Sequence, residues 1–284
     1  MPNLFIVGAQ KSGTTSLHNY LSEHPEIYMS KVKEPSYFSK FPGSIQIGED
    51  ITEEEYYRLF KDVKNEKIIG EGSVSYLYDP SSAKAIYDVN PNAKIIILLR
   101  DPVDRTFSHF LKPDNKMTFE QKINKDFKNI DEENPNYENI VNWGLYPKQV
   151  KRYLDIFHDQ VKIIIFEEFF SDPTTKIKEI LEFLGLEPKV HDFSLEIHKK
   201  SYKPRNQFFQ KIISNKLMKK AGNKVLPINI RQSTYAFLRG DDSQKNEISK
   251  KDEKILIEFY KDSVSSMEKI LKRKLPWKSS INHS

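Results

Sequence analysis

Residues 8 to 15, Gly-Ala-Gln-Lys-Ser-Gly-Thr-Thr, constrain this chain more than any other stretch. They follow an apolar run, Asn3 to Val7 (NLFIV), that reads as a buried strand. They lead into Gly13 to Ser22, where Leu17, Tyr20 and Leu21 share one face of a predicted helix. A strand that passes through a glycine loop directly into a helix belongs to an α/β protein. Gly8 and Gly13 allow a tight turn and a close approach of backbone to ligand. The first amides of a helix point outward with partial positive charge, so such a turn cradles an anion. Lys11 adds a mobile full charge, and Thr14 and Thr15 add hydroxyl donors. A plain glycine turn is the competing reading, and the lysine inside the loop argues against it.

The rest of the chain alternates in the same way. Lys67 to Gly70, Ala93 to Leu99 and Val161 to Phe166 read as strands, and the continuous apolar character of the second predicts a central parallel position. Helices are predicted at Thr52 to Phe60, with Thr52 and Glu55 as a capping box, and at Pro102 to Leu111, with proline in the first turn. Further helices are expected at Lys148 to Phe157, at Pro173 to Leu184 ending on Gly185, and at Lys250 to Leu271. The expected architecture is one α/β domain over residues 1–284, a three-layer fold like that of P-loop nucleotide-binding proteins, with a central parallel sheet flanked by helices. The polar, Asn-rich stretch 110–142 reads as a variable insertion or loop, and 187–245 as an irregular cap.

Composition excludes several alternatives. The chain has no cysteine, so disulfides, thiol catalysis and Cys-ligated metals are out. His18 and His24 lack a metal-ligand context, and no metal is expected. No run approaches the roughly 20 apolar residues of a membrane span, and the N-terminus reads as a strand rather than a signal peptide, so a cytoplasmic location is the default expectation. A net charge of +5 does not imply a nucleic-acid partner. Its distribution is uneven: residues 199 to 224 carry nine Lys or Arg and no acid, which is either a solvated face or a wall toward a polyanionic ligand.

The loop departs from the nucleotide triphosphate pattern G-x-x-x-x-G-K-[ST]: Thr14 stands where that pattern has its lysine, and the lysine has moved to Lys11. Residues 10 to 15, QKSGTT, resemble instead the donor loop of sulfotransferases that use 3′-phosphoadenosine-5′-phosphosulfate (PAPS). That resemblance implies that Ser12, Gly13, Thr14 and Thr15 contact the 5′-phosphosulfate and that Lys11 stabilises the leaving phosphate oxygen. A second motif, Arg100-Asp101-Pro102-Val103-Asp104-Arg105-Thr106-Phe107-Ser108, begins where the strongest strand ends, the edge at which parallel sheets bind ligands. A guanidinium there suits a terminal phosphate through paired hydrogen bonds. The stretch resembles the family's R-x-P-x-x-R-x-x-S motif, which implies Arg100 and Ser108 as ligands of the 3′-phosphate of PAPS and of its product PAP.

An acceptor must lose a proton as it attacks, so a general base is needed. Glu34, in Ser30-Lys31-Val32-Lys33-Glu34-Pro35-Ser36-Tyr37-Phe38, is the candidate, because Pro35 holds it on an extended or turn segment. The segment resembles the K-E-P-x-x-F stretch of bacterial and glycan-type sulfotransferases, where a glutamate is the base. His109 is a secondary candidate, and a surface ion pair is the plainer reading of Glu34. Weaker echoes follow. Glu71 to Tyr76 resembles an acceptor-side E-K-T/S-P-x-Y loop but has Gly72 for the lysine and Val74 for the proline, leaving Glu71 and Tyr76 as cleft candidates. Phe166 replaces a usual tyrosine. Lys203 or Arg205 is implied as a phosphate contact from a closing loop, and Leu275-Pro276-Trp277 as terminal packing. The expectation is a PAPS-dependent sulfotransferase acting on a hydroxyl or amine, with a glycan as acceptor. A P-loop small-molecule kinase and a non-catalytic nucleotide-binding module stand as alternatives.

Overall fold

A computed structural model describes residues 1–41, 51–111, 117–187, 202–204, 239–241 and 247–280. In chain order the elements are β1 (Leu4–Gly8), α1 (Thr14–Ser22), β2 (Ile27–Met29), α2 (Glu53–Arg58), β3 (Ile68–Gly72), α3 (Ser75–Tyr78), α4 (Ser82–Val89) and β4 (Lys94–Leu99). There follow α5 (Pro102–Phe110), α6 (Phe119–Phe127), α7 (Tyr146–Phe157), β5 (Val161–Ile165), α8 (Phe166–Ser171) and α9 (Pro173–Phe183). A short antiparallel pair, β6 (Tyr202–Pro204) with β7 (Arg239–Asp241), precedes the long helix α10 (Lys250–Leu271). The five strands β1 to β5 form one parallel sheet in the order β2-β3-β1-β4-β5.

Alternation along the central strands builds two apolar layers, as a parallel sheet covered on both faces requires. Leu4 and Ile6 of β1 with Ile96 and Leu98 of β4 pack under α1, α8 and α9 through Leu17, Leu21, Phe169, Ile177 and Leu181. Phe5 and Val7 with Ile95, Ile97 and Leu99 face the other way, toward Val103 of α5, Val150 and Tyr153 of α7, and Leu256 and Tyr260 of α10. The result is the three-layer, P-loop-like architecture expected from the sequence. No helix among the described residues is long and apolar enough to cross a membrane.

Local signals behave as their chemistry dictates. The Thr52–Glu55 capping box forms, Asp101 caps α5 by accepting from the Val103 amide, and Gly185 ends the α9 region with φ 74°. Differences lie elsewhere. The strand expected at 67–70 runs on to Gly72, and Phe166 opens α8 instead of closing β5. The 110–142 stretch is not a plain loop. It contains α6, capped by Thr118 and Gln121, and its Ile123, Ile140 and Val141 are buried. Asparagines obscured this because they act here as backbone mimics. Asn139 Nδ2 donates to the carbonyls of Asp126 (3.0 Å) and Asn129 (2.8 Å), and Asn142 Nδ2 to that of Asp131 (2.6 Å). The buried Arg105 holds the Ile140 carbonyl, and Tyr260 donates to that of Val141 at 2.7 Å. The cap expected at 187–245, with Arg205 and most of the basic 199–224 stretch, lies outside the described residues apart from Glu187 and the β6–β7 pair.

Of the ionisable groups buried in the core, Glu71 has the clearest consequence for stability. Glu71 of β3 is fully buried and accepts hydrogen bonds from Tyr76 Oη (2.7 Å), Ser73 Oγ (2.8 Å) and Tyr56 Oη (3.2 Å). Burial outweighs these donors and raises its pKa from the ordinary carboxylate value to about 7. The folded chain therefore keeps a proton that the unfolded chain releases from about pH 4.5 upward, and Glu71 makes stability fall as pH rises through that window. Glu71→Gln removes the ionisation. The unfolding free energy of the variant relative to wild type, measured in urea, is expected to move in the variant's favour by up to about 3 kcal/mol between roughly pH 4 and 8. A difference that does not vary with pH would contradict this.

Candidate active site

The glycine loop starts where β1 lies beside β4. The Ala9 amide donates to the Leu98 carbonyl at 2.6 Å, which brings the loop to the C-terminal end of β4. Arg100 stands just past that end and donates from Nη1 to the Lys11 carbonyl at 3.2 Å. Its guanidinium lies over the Phe166 ring, 4.6 Å from the centroid. The two motifs that the sequence placed 90 residues apart thus meet at one edge of the sheet.

The loop's shape depends on its glycine. Gly13 has φ 83°, and a Cβ there would lie 2.7 Å from Phe170 and 3.2 Å from Phe166. Lys11 also takes a left-handed φ of 68° and exposes its side chain. Ser12 is fully buried, and Thr15 is exposed at the start of α1. Among the described residues, Ser12 Oγ and Arg100 Nε are buried hydrogen-bonding atoms with no protein partner. Both belong to the loop and its arginine, and a hydroxyl and a guanidinium nitrogen in that position fit an anionic phosphate group. Ser108 lies half-buried on α5, two turns along the helix that starts beside Arg100. Asp101, which caps that helix, is itself tied down: its amide donates to Glu167 Oε1 (2.9 Å), while Glu167 Oε2 accepts from Trp277 Nε1 (3.0 Å). The terminal tryptophan therefore packs, as expected, and also braces the turn that carries Arg100.

Glu34 comes to the same place from β2. The chain leaving β2 continues beside β3, with the Ser30 amide donating to the Gly70 carbonyl (2.8 Å) and the Glu34 amide to that of Gly72 (2.9 Å). Glu34 Oε2 accepts from the Val74 amide at 2.7 Å, and Oε1 is paired with Lys33. Lys33 Nζ also reaches Thr14 Oγ1 at 3.4 Å, so one lysine links the candidate base to the donor loop. Its charge, after burial, helps depress His18 of α1 to a pKa of about 4. Lys31, by contrast, pairs with Asp62 on the surface. On the other side stands Tyr137, held by Gln10 of the loop and pushed above the ordinary phenol value by burial and by the Glu34 charge.

Several expectations change here. Glu71 and Tyr76 are fully buried beneath the Glu34 segment and do not line the cleft. His109 is buried with its ring edge-on to Trp143 and Nδ1 3.3 Å from Arg105 Nη1, a packing position rather than one suited to a base. The loss of the tyrosine hydroxyl at Phe166 is matched by a ring face for Arg100. Sequence reading missed the bridging role of Lys33 and the approach of Tyr137. The one signal for Lys33 was its position next to Glu34, and for Tyr137 there was none.

A family model described as sulfotransferase domain matches residues 1–270. The membrane-associated sulfotransferase kil1 of Dictyostelium discoideum is 36% identical over 111 residues, which cover 39% of this chain and 22% of that protein. Carbohydrate sulfotransferase 15 of Homo sapiens is 26% identical over 248 residues, covering 66% of this chain and 44% of that protein. The chain thus spans less than half the length of these curated relatives. A sulfotransferase from Alicyclobacillus acidocaldarius, known from its crystal structure, is 31% identical with a TM-score of 0.69, and 97% of each chain is covered. With residues 1–270 matched by the family model and 97% of the chain covered by that structure, this chain belongs to the sulfotransferase domain family.

Proposed function

We propose that this chain transfers the sulfuryl group of PAPS to a hydroxyl or amine of an acceptor, and that the acceptor is a carbohydrate. The observation that carries the reading is the Lys33 link between Thr14 and Glu34, next to the Arg100 contact with the Lys11 carbonyl. It gathers an anion loop, a second anion-binding cation and a carboxylate within a few side chains of one another. Carbohydrate sulfotransferase 15 among the relatives supports a glycan acceptor.

In this reading Ser12, Gly13, Thr14 and Thr15 hold the 5′-phosphosulfate, and Arg100 with Ser108 holds the 3′-phosphate. Arg205, outside the described residues, is proposed as a further phosphate contact. Glu34 takes the proton of the acceptor as its oxygen or nitrogen bonds to sulfur. Lys11 stabilises the charge left on the phosphate oxygen when the old sulfur–oxygen bond breaks. Positioning and fixed charge supply most of the catalysis, as in phosphoryl transfer.

PAP is expected to raise the melting temperature of the protein, and ATP with magnesium is not; the reverse pattern would favour a kinase. Lys11→Ala and Glu34→Gln are each expected to cut transfer of labelled sulfate from PAPS at least about tenfold without unfolding the chain, and full activity in both would remove the mechanism. Arg100→Ala is expected to weaken PAP binding roughly 10- to 100-fold by calorimetry, the effect of losing a hydrogen bond to a charged group. An unchanged affinity would exclude Arg100 as a phosphate ligand.

A further inference from the structure

The segment that carries Glu34 has an unusual backbone. Glu34 (φ 61°) and Ser36 (φ 56°) both lie in the left-handed region, on either side of Pro35. Such conformations persist in non-glycine residues only where surrounding contacts impose them. The contacts come from the end of β3, from Ser73 and Val74 just after it, and from α3. Besides the two bonds made by Glu34 itself, the Ser36 amide donates to Ser73 Oγ (3.0 Å), the Phe38 amide to Tyr76 Oη (3.3 Å), and Ser75 Oγ to Ser36 Oγ (3.1 Å).

A hydroxyl has one proton, and where it points decides what the oxygen can accept. Ser73 Oγ and Tyr76 Oη both donate to the Glu71 carboxylate, which leaves their lone pairs for the Ser36 and Phe38 amides. Glu71 thus sets the polarity of both contacts that pin the segment after Pro35. Tyr56 of α2 donates the third bond, and the rings of Tyr56, Tyr76 and Phe38 pack around the group and shut out water. No cation is paired with Glu71 among the described residues. A carboxylate so placed contributes less to stability than an apolar residue of similar size, so its use lies in what it orients.

We propose that Glu71 is a positioning residue for the proton-abstracting carboxylate: through Ser73 and Tyr76 it fixes the left-handed 34–36 backbone and so aims Glu34 at the donor loop. This rests on the reading of Glu34 as the base. Glu71 touches neither donor nor acceptor, and its effect passes wholly through Glu34.

The test uses the full chain and three variants, Glu71→Gln, Ser73→Ala and Tyr76→Phe, each also made in a Glu34→Gln background. Hydrolysis of PAPS to PAP and sulfate serves as the assay, since water then stands in for the acceptor. Each single variant is expected to lower kcat at least about tenfold while the affinity for PAP stays within about twofold, and to add no further loss in the Glu34→Gln background. Amide exchange at Ser36 and Phe38 is expected to quicken in all three. Unchanged kcat, or an equal loss with and without Glu34, would overturn the proposal. A wild-type protein that neither binds PAP nor hydrolyses PAPS would instead defeat the sulfotransferase chemistry. Amide exchange would then decide alone whether Glu71 fixes the segment, and unaltered exchange would refute it.

Discussion

The hydrogen bond from Arg100 to the Lys11 carbonyl is the contact on which the site depends. It exists because β1 and β4 are parallel neighbours, so the turns that follow them emerge at the same edge of the sheet. Phe166 at the start of α8 supplies the face on which the guanidinium rests, and Phe170 with Phe166 closes the space beside Gly13. The loop and the arginine are therefore one object built from three strand ends. Glu167 extends that object to the segment after α10 by holding both the Asp101 amide and the Trp277 indole.

A second layer of organisation reaches the site from the other side of β1. β3 separates β1 from β2, and the chain leaving β2 runs along β3 before it turns left-handed at Glu34. Lys33 then spans from that segment to Thr14. The catalytic carboxylate of the proposed mechanism is thus tied to the donor loop by a side chain, and to the sheet by backbone amides. Beneath it lies Glu71, whose buried hydroxyl partners link the Glu34 segment to the core.

The parts that were legible in the sequence share a physical character. The central strands β1 and β4 are almost continuous apolar runs because both faces of a parallel sheet are covered, and helices α5 and α9 announce themselves by cap and proline chemistry. β2 escaped because three residues carry no period. The 117–142 stretch escaped because asparagine side chains satisfy its backbone in place of a regular ladder, which leaves a polar sequence over a buried path. Glu71 and Tyr76 enter the cleft in sequence only through the resemblance of residues 71–76 to an acceptor-side loop, which carries no information on burial. The extension of β3 to Gly72 puts Glu71 inside, and the short helix α3 buries Tyr76 against it.

What the sequence determined by itself is chemistry that acts within one turn of chain: a glycine loop opening a helix, an arginine ending an apolar strand, and a glutamate held off the helical path by proline. These depend on neighbours in sequence, so they can be read without knowing what lies across the sheet. Only the tertiary structure decided that Arg100 would grip the loop, that Lys33 would join Thr14 to Glu34, and that Tyr137 and Glu71 would flank and underlie Glu34. Each of those contacts spans a strand order, β2-β3-β1-β4-β5, that is set by burial of the whole sheet and leaves no mark at any single residue.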